Sequence, residues 1–258
     1  MIWQSEDREV TVNEKHQLIY KETANILDEL AFIYGIKNIY EPMCSYINIS
    51  KHTRNMSQIC SDIDITKINK LIELKNKSTI LIRDEIYSIL RKFMTGENYE
   101  HIDSGLLELL FNIGYSSDIE VRTLEDVVAY NKEVHLERFD EFSLERFRGI
   151  TLKNCGYNDL DIKNDSFIIL YPPFKTQNIL DEKFKYIEMY NWIRNEVNKQ
   201  TTNNLHIFVL SKDMPDDFVV YTDFSGKIKL NKKDNNNLKL FIHKDSILIE
   251  QDNEDLTF

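Results

Sequence analysis

Two unbroken apolar runs, Phe167-Ile168-Ile169-Leu170 and Ile207-Phe208-Val209-Leu210, constrain this chain more than any other feature. A strand in a half-exposed sheet alternates polar and apolar residues, whereas a strand covered by helices on both faces is apolar throughout. Segments with helical spacing surround the two runs. Leu18, Ile19, Ile26, Leu27, Leu30, Ile33 and Tyr34 recur at three- and four-residue intervals, which predicts one amphipathic helix over residues 12–34 with Gly35 as its stop. Short strands are expected at about 36–40 and 56–60, and Ile68, Leu71 and Ile72 place a helix over 65–75. Gly149-Ile150-Thr151-Leu152 reads as a further strand, and Phe184, Ile187, Tyr190, Ile193 and Val197 form a helical stripe between the two apolar runs. Strands alternating with helices predict an α/β fold with a mostly parallel sheet. From Phe218 to Ile249, β-rich pieces alternate with the turns Ser225-Gly226 and Asp234-Asn235-Asn236-Asn237, as antiparallel strands at a sheet edge do.

The middle of the chain breaks this pattern. Ile86, Ile89, Leu90 and Phe93 mark one helix closed near Gly96, and Leu106, Leu107, Leu109 and Leu110 mark another closed near Gly114. The division expected is a first part over 1–78, a helical insertion over 79–147 and a second part over 148–258.

Charge and glycine content narrow the functional classes. Among 258 residues the formal net charge is −11, opposite in sign to a protein that grips phosphate through its overall field. A local basic face remains compatible with that total. There are 7 glycines, against about 18 from average usage. Sites where backbone closely approaches a nucleotide-like ligand use glycine, so this chain has few such places to offer. No run of about 18 apolar residues exists, so no membrane span is expected. Residues 1–7 lack the basic stretch and apolar core of a signal peptide. Cys44, Cys60 and Cys155 are widely spaced, with no metal-ligand pattern among them or the six histidines. Reduced thiols in a cytoplasmic protein, with no bound metal, are the expectation.

One motif stands out at the end of the first apolar run. In Leu170-Tyr171-Pro172-Pro173-Phe174 the prolines end the strand and stiffen the loop at its carboxyl end, where open α/β sheets place their ligands. It resembles the Asp-Pro-Pro-Tyr loop of amino-methyltransferases. Ile39-Tyr40-Glu41-Pro42-Met43-Cys44-Ser45 resembles their first cofactor motif, y-x-E-P-F-x-G, and Cys60-Ser61-Asp62-Ile63-Asp64 resembles the acidic turn after their second strand. The segment 148–157, ending Asn154-Cys155-Gly156-Tyr157, is similar to one reading v-x-h-c-D-f. Phe184 and Trp192, then His206-Ile207-Phe208-Val209-Leu210-Ser211 and Met214-Pro215-Asp216-Asp217-Phe218, follow in the family's order. The collinear set, over about 36–78 and 148–244, resembles the Dam-like adenine-specific DNA methyltransferases.

That resemblance implies a Rossmann-like methyltransferase fold whose insertion serves target recognition. It implies S-adenosylmethionine as cofactor, with Glu41, Pro42, Asp62, Asp64 and Tyr157 at its site, the Asp62 carboxylate accepting from the ribose hydroxyls. It also implies a catalytic loop of Tyr171, Pro172, Pro173 and Phe174, in which the aromatic stacks on a flipped base. The departures are as informative. Tyr171 stands where the family has an aspartate that orients the target amine, and Gly156 stands where an acid accepts from the cofactor's adenine. Ser45 and Tyr46 replace a small first loop, and the opening Gly-x-Lys motif is missing, with Lys15 inside the first helix.

Three readings follow. The first is a catalytically impaired methyltransferase-like protein acting by binding DNA or a protein partner. The second is an active DNA adenine methyltransferase with relocated contacts, and the third an acidic protein-interaction module. Asp62 also reads as an ordinary helix cap, and Arg83, Arg91, Lys92 and Arg122 in the insertion as an ordinary helical surface interspersed with acids.

Overall fold

The computed structural model describes residues 12–44, 47–85, 88, 141–172, 186–198, 200–224 and 238–246. Helix α1 spans Val12–Tyr34, over the predicted residues. Its buried arc is made by Ile19, Tyr20, Ala24, Leu27, Leu30 and Ala31. Ile33, expected in the stripe, is 67% exposed beside the exposed Phe32. At 100° per residue it falls well off the arc centred on Leu27. The helix stops as its sequence demands. Gly35 takes φ +68, and the Ile36 N–H reaches back to the Ala31 carbonyl at 3.0 Å, closing a Schellman turn over an apolar Ile36–Ala31 contact.

Strands β1 (Asn38–Pro42) and β2 (Ser57–Ser61) follow, joined by the loop 43–56 with a 3-10 turn at Ser50–His52. Helix α2 (Ile65–Asn76) buries Ile68, Leu71 and Leu74. After the middle segment come α3 (Glu141–Gly149), β3 (Thr151–Lys153) and a second 3-10 turn at Tyr157–Asp159. Gly149, expected to open the strand, instead ends α3. Strand β4 (Ser166–Leu170) is buried at every position, and β5 (Leu205–Ser211) at every position but its last. Between them lie α4 (Tyr186–Val197) and the one-turn α5 (Gln200–Asn203). Strands β6 (Phe218–Asp223) and β7 (Lys239–His243) close the described chain. Residues 79–85 and 88 at the start of the insertion are helical, while the rest of its two expected helices, with Arg91, Lys92 and Arg122, lies outside the described residues, as do Ser45, Tyr46, Pro173, Phe174, Phe184 and both expected C-terminal turns.

The seven strands form one sheet in the order β3-β2-β1-β4-β5-β7-β6. The first five run parallel, with Tyr40 opposite both Ile59 of β2 and Ile168 of β4. Only β7 is reversed, pairing antiparallel with β5 on one side and β6 on the other. The protein is thus a mixed α/β structure on a mostly parallel sheet. Two cores flank it. Phe167 and Ile169 of β4 and Phe208 and Leu210 of β5 face α1. Ile168, Leu170, Ile207 and Val209 face Met189, Tyr190, Ile193 and Val197 of α4. Each apolar run therefore feeds both cores by strict alternation, the physical reason for its unbroken character.

Candidate functional site

Strand order reverses between β1 and β4, which are neighbours with the chain leaving them toward opposite halves of the sheet. A crevice outside the carboxyl ends of the strands at such a point is where open α/β sheets bind ligands. The described candidate site residues Glu41, Pro42, Asp62, Asp64, Tyr157, Tyr171 and Pro172 lie at the carboxyl ends of β1 to β4 or on the segments leaving them.

The segment after β1 is organised by Glu41. Its side chain is buried and accepts three backbone N–H groups: Asn48 at 2.9 Å and Ile49 at 3.0 Å on Oε1, and Ser50 at 2.7 Å on Oε2. Burial raises its pKa, and the hydrogen bonds from Ser50, Ile49 and Asn48 oppose that rise. Glu41 thus clamps its own loop. Pro42 ends β1 opposite Ser61, and the Cys44 N–H ties the loop to the Ser61 carbonyl at 3.0 Å. Met43 and Ile47 take φ +61 and +60, the left-handed region that glycine enters most easily. Beneath them the Cys60 thiol is buried and hydrogen-bonded with Cys44, and burial pushes its pKa well up.

The acidic turn after β2 divides its work between two carboxylates. Asp64 is the N-cap of α2, accepting from the Thr66 N–H at 3.0 Å and more weakly from Lys67. The helix-cap role suggested for Asp62 therefore belongs to Asp64. Asp62 Oδ1 accepts the Asp64 N–H at 2.9 Å, its own N–H meets the Lys153 carbonyl, and its carbonyl accepts from Asn154 Nδ2 at 2.8 Å. Asp62 is thereby fixed against the end of β3, with Ile63 beside it 78% exposed.

Gly156 opens the turn after β3. A Cβ placed there would stand 2.8 Å from Asn158 Oδ1 and 3.7 Å from Ile63 Cγ2. The Asn158 amide thus crowds the space a side chain at 156 would need, beside the Asp62 turn. Tyr157 stacks edge-on against Trp192 of α4 at 5.1 Å, which sets it in the core on that face of the sheet.

Tyr171 continues the alternation of β4, so it falls on the α1 face with Phe167 and Ile169. Its ring meets Tyr20 of α1 edge-to-face at 5.3 Å and 75°. Burial raises the Tyr171 pKa, against a hydrogen bond with the Tyr20 side chain that lowers it. Pro172 is buried directly after it. Tyr20, outside the stripe that the spacing marked, carried no sequence signal, because its contact is made 151 positions away.

Glu41, Pro42, Asp62, Asp64, Tyr171 and Pro172 therefore share the carboxyl-end edge of the parallel strands, with Tyr157 packed against Trp192 of α4. An open depression of about 390 Å³ lies elsewhere, on the outer face of α1 among Glu22, Asp28, Glu29 and Arg54. It is polar, and none of the candidate site residues lines it. Among the described residues no three histidine, cysteine or acidic side chains gather as a metal site, and no helix is long and apolar enough to cross a membrane. Neither a family model nor a curated protein sequence matches this chain.

Proposed function

We propose that this chain is a methyltransferase-like protein of the Dam-like adenine-specific type that has lost efficient methyl transfer and acts by binding nucleic acid or a protein partner. The observation that carries the reading is Tyr171. The resemblance implies a carboxylate here, free to accept a hydrogen bond from a target amine. The chain instead has a phenol packed against Tyr20, a neutral group that offers no charge-assisted acceptance and fills room beside the loop. A sheet that is parallel over its first five strands and reverses at β7 agrees with the Rossmann-like methyltransferase fold that the resemblance implies.

The fit to S-adenosylmethionine differs along the molecule. Asp62 and Asp64 suit the ribose end, since a carboxylate at the end of β2 can accept from vicinal hydroxyls. At the adenine end Gly156 offers no acceptor, and the Asn158 amide oxygen is the nearest group to its place. Glu41, which the resemblance also sets at the cofactor, has its carboxylate engaged by three backbone donors. Bound cofactor would supply an activated methyl group. Holding the nucleoside falls to Asp62, while no described side chain orients an accepting amine.

Steady-state incubation with radiolabelled S-adenosylmethionine and duplex DNA tests the reading: label is expected to stay off the DNA, and transfer at ordinary enzyme rates would overturn it. The surviving Asp62 turn and the Asn158 amide favour a second reading, an active enzyme with relocated contacts. Ligand at 100 times its dissociation constant stabilises by about 2.7 kcal/mol. Absence of a thermal shift at saturating S-adenosylmethionine removes that second reading.

A further inference from the structure

The outer face of α1 carries a second surface, separate from the strand ends. Glu22, Asn25, Ile26, Glu29, Phe32 and Ile33 recur at three- and four-residue spacing, which puts them on one side of the helix. That side is opposite the one by which Tyr20, Ala24, Leu27 and Ala31 enter the core. Its first half borders the depression of about 390 Å³, which Arg54 and Asn55 of the loop after β1 also line. Asp28 ties that loop to the helix, its carboxylate accepting the Arg54 N–H at 2.9 Å and the Asn55 N–H at 3.4 Å. Glu22 and Glu29 line the depression with no ion pair or hydrogen bond among the described residues. One turn further along the same side, Phe32 is 89% and Ile33 67% exposed.

A single exposed apolar residue is ordinary, but an exposed aromatic with an exposed isoleucine beside it, bordered by charge, has the composition of an interface core and its rim. We propose that this face of α1 docks a basic amphipathic helix of a partner protein. The partner's apolar residues cover Phe32 and Ile33, and its lysines or arginines meet Glu22 and Glu29. A helix suits the face because residues at three- and four-residue spacing on one helix form the ridges and grooves that a second helix packs against. Charge complementarity selects the basic partner. Of the four charged residues lining the depression, Glu22, Asp28 and Glu29 are acidic and only Arg54 is basic. Nucleic acid would bring phosphates against Glu22 and Glu29. A second copy related by a twofold axis would set the same carboxylates against each other, in a chain whose net charge is already −11. The inference rests on the protein-partner arm of the proposed function and assigns it a surface.

The probe is a fluorescent synthetic helix with leucines at three- and four-residue spacing and lysines along both flanks, paired with a twin carrying glutamates for the lysines. In anisotropy titrations with the full chain, the lysine peptide is expected to bind, more weakly as salt rises, and the glutamate twin to stay free. Phe32→Ala with Ile33→Ala is expected to weaken binding about tenfold or more, as loss of an aromatic anchor does. Glu22→Gln with Glu29→Gln is expected to flatten the salt dependence. Ile187→Ala controls for lost apolar surface: the residue is 74% exposed on α4, across the sheet from α1, and binding is expected to stay unchanged. Circular dichroism verifies that each variant is folded. No binding of the lysine peptide, equal binding of its twin, full affinity in the apolar double variant, an unchanged salt dependence in the glutamate variant, or equal loss in Ile187→Ala overturns the proposal. Sedimentation of the chain alone reads the other occupant: a dimer that Phe32→Ala with Ile33→Ala splits assigns the face to a second copy and also overturns it. Methyl transfer and the thermal shift with S-adenosylmethionine are read independently, so failure of this surface and failure of the methyltransferase reading are distinguishable.

Discussion

Glu41 shows how a residue typed as a cofactor contact can be spent on architecture. Its carboxylate accepts from Asn48, Ile49 and Ser50 at once, so one side chain fixes residues 48–50 of the loop after β1. Glu41→Gln leaves one oxygen to accept and turns an amide N–H toward a backbone donor. A buried donor left unsatisfied costs about 1–3 kcal/mol, and urea denaturation is expected to show a loss of that size. Tyr171 is tested in the opposite sense. Tyr171→Asp supplies the carboxylate that the resemblance implies, but removes the ring contact with Tyr20 and sets a charge beside an apolar core. It is expected to lower the melting temperature without restoring methyl transfer, because Gly156 still offers no acceptor. None of these roles was legible in the sequence. The Glu41 contacts are to backbone atoms, and the Tyr20–Tyr171 contact joins distant segments, whereas the acid-x-acid spacing of Asp62 and Asp64 was visible without saying which would cap the helix.

At the scale of elements, legibility followed the strength of the local pattern. Helix α1 was readable to its ends because a long apolar period met a glycine that only a stop requires. Gly35→Ala forces a Cβ into left-handed backbone and is expected to cost about 1 kcal/mol in a chemical melt. Asp64→Ala removes the cap of α2 and is likewise expected to cost about 1 kcal/mol. Strands β4 and β5 were legible because burial on both faces writes itself as an unbroken apolar run. Strand β3 is three residues at the sheet edge with no fully buried position, so its sequence carries no such run and Gly149 was drawn into it.

For the whole molecule, acid is expected to act first through two packed histidines, His52, whose pKa burial and neighbouring positive charges hold well below 6.5, and His206. The His206 Nε2 lies 3.0 Å from Asn204 Oδ1, its ring packs against Phe167, and burial lowers its pKa from 6.5 to about 4. A base whose folded pKa is depressed adds full stability above its unfolded value and loses it as pH falls through the folded one. The window therefore runs from about 6.5 down to about 4, and the loss is on the order of 3 kcal/mol. Asp217, held low by Arg194, loses stability in the same direction at lower pH, whereas Glu41, with a raised pKa, gains it as it protonates. His206→Leu separates these contributions: its stability is expected to stay flatter than the wild type's between pH 6.5 and 4, and identical slopes would remove His206 as the cause. The central claim is that the sheet and its carboxyl-end turns are kept while the group that orients a target amine is replaced. Single-turnover methyl transfer addresses it most directly, with protein in excess over tritiated S-adenosylmethionine and duplex DNA, so that slow product release cannot hide chemistry. The expected result is no label in adenine over hours; label appearing within a few turnovers' time would contradict the account.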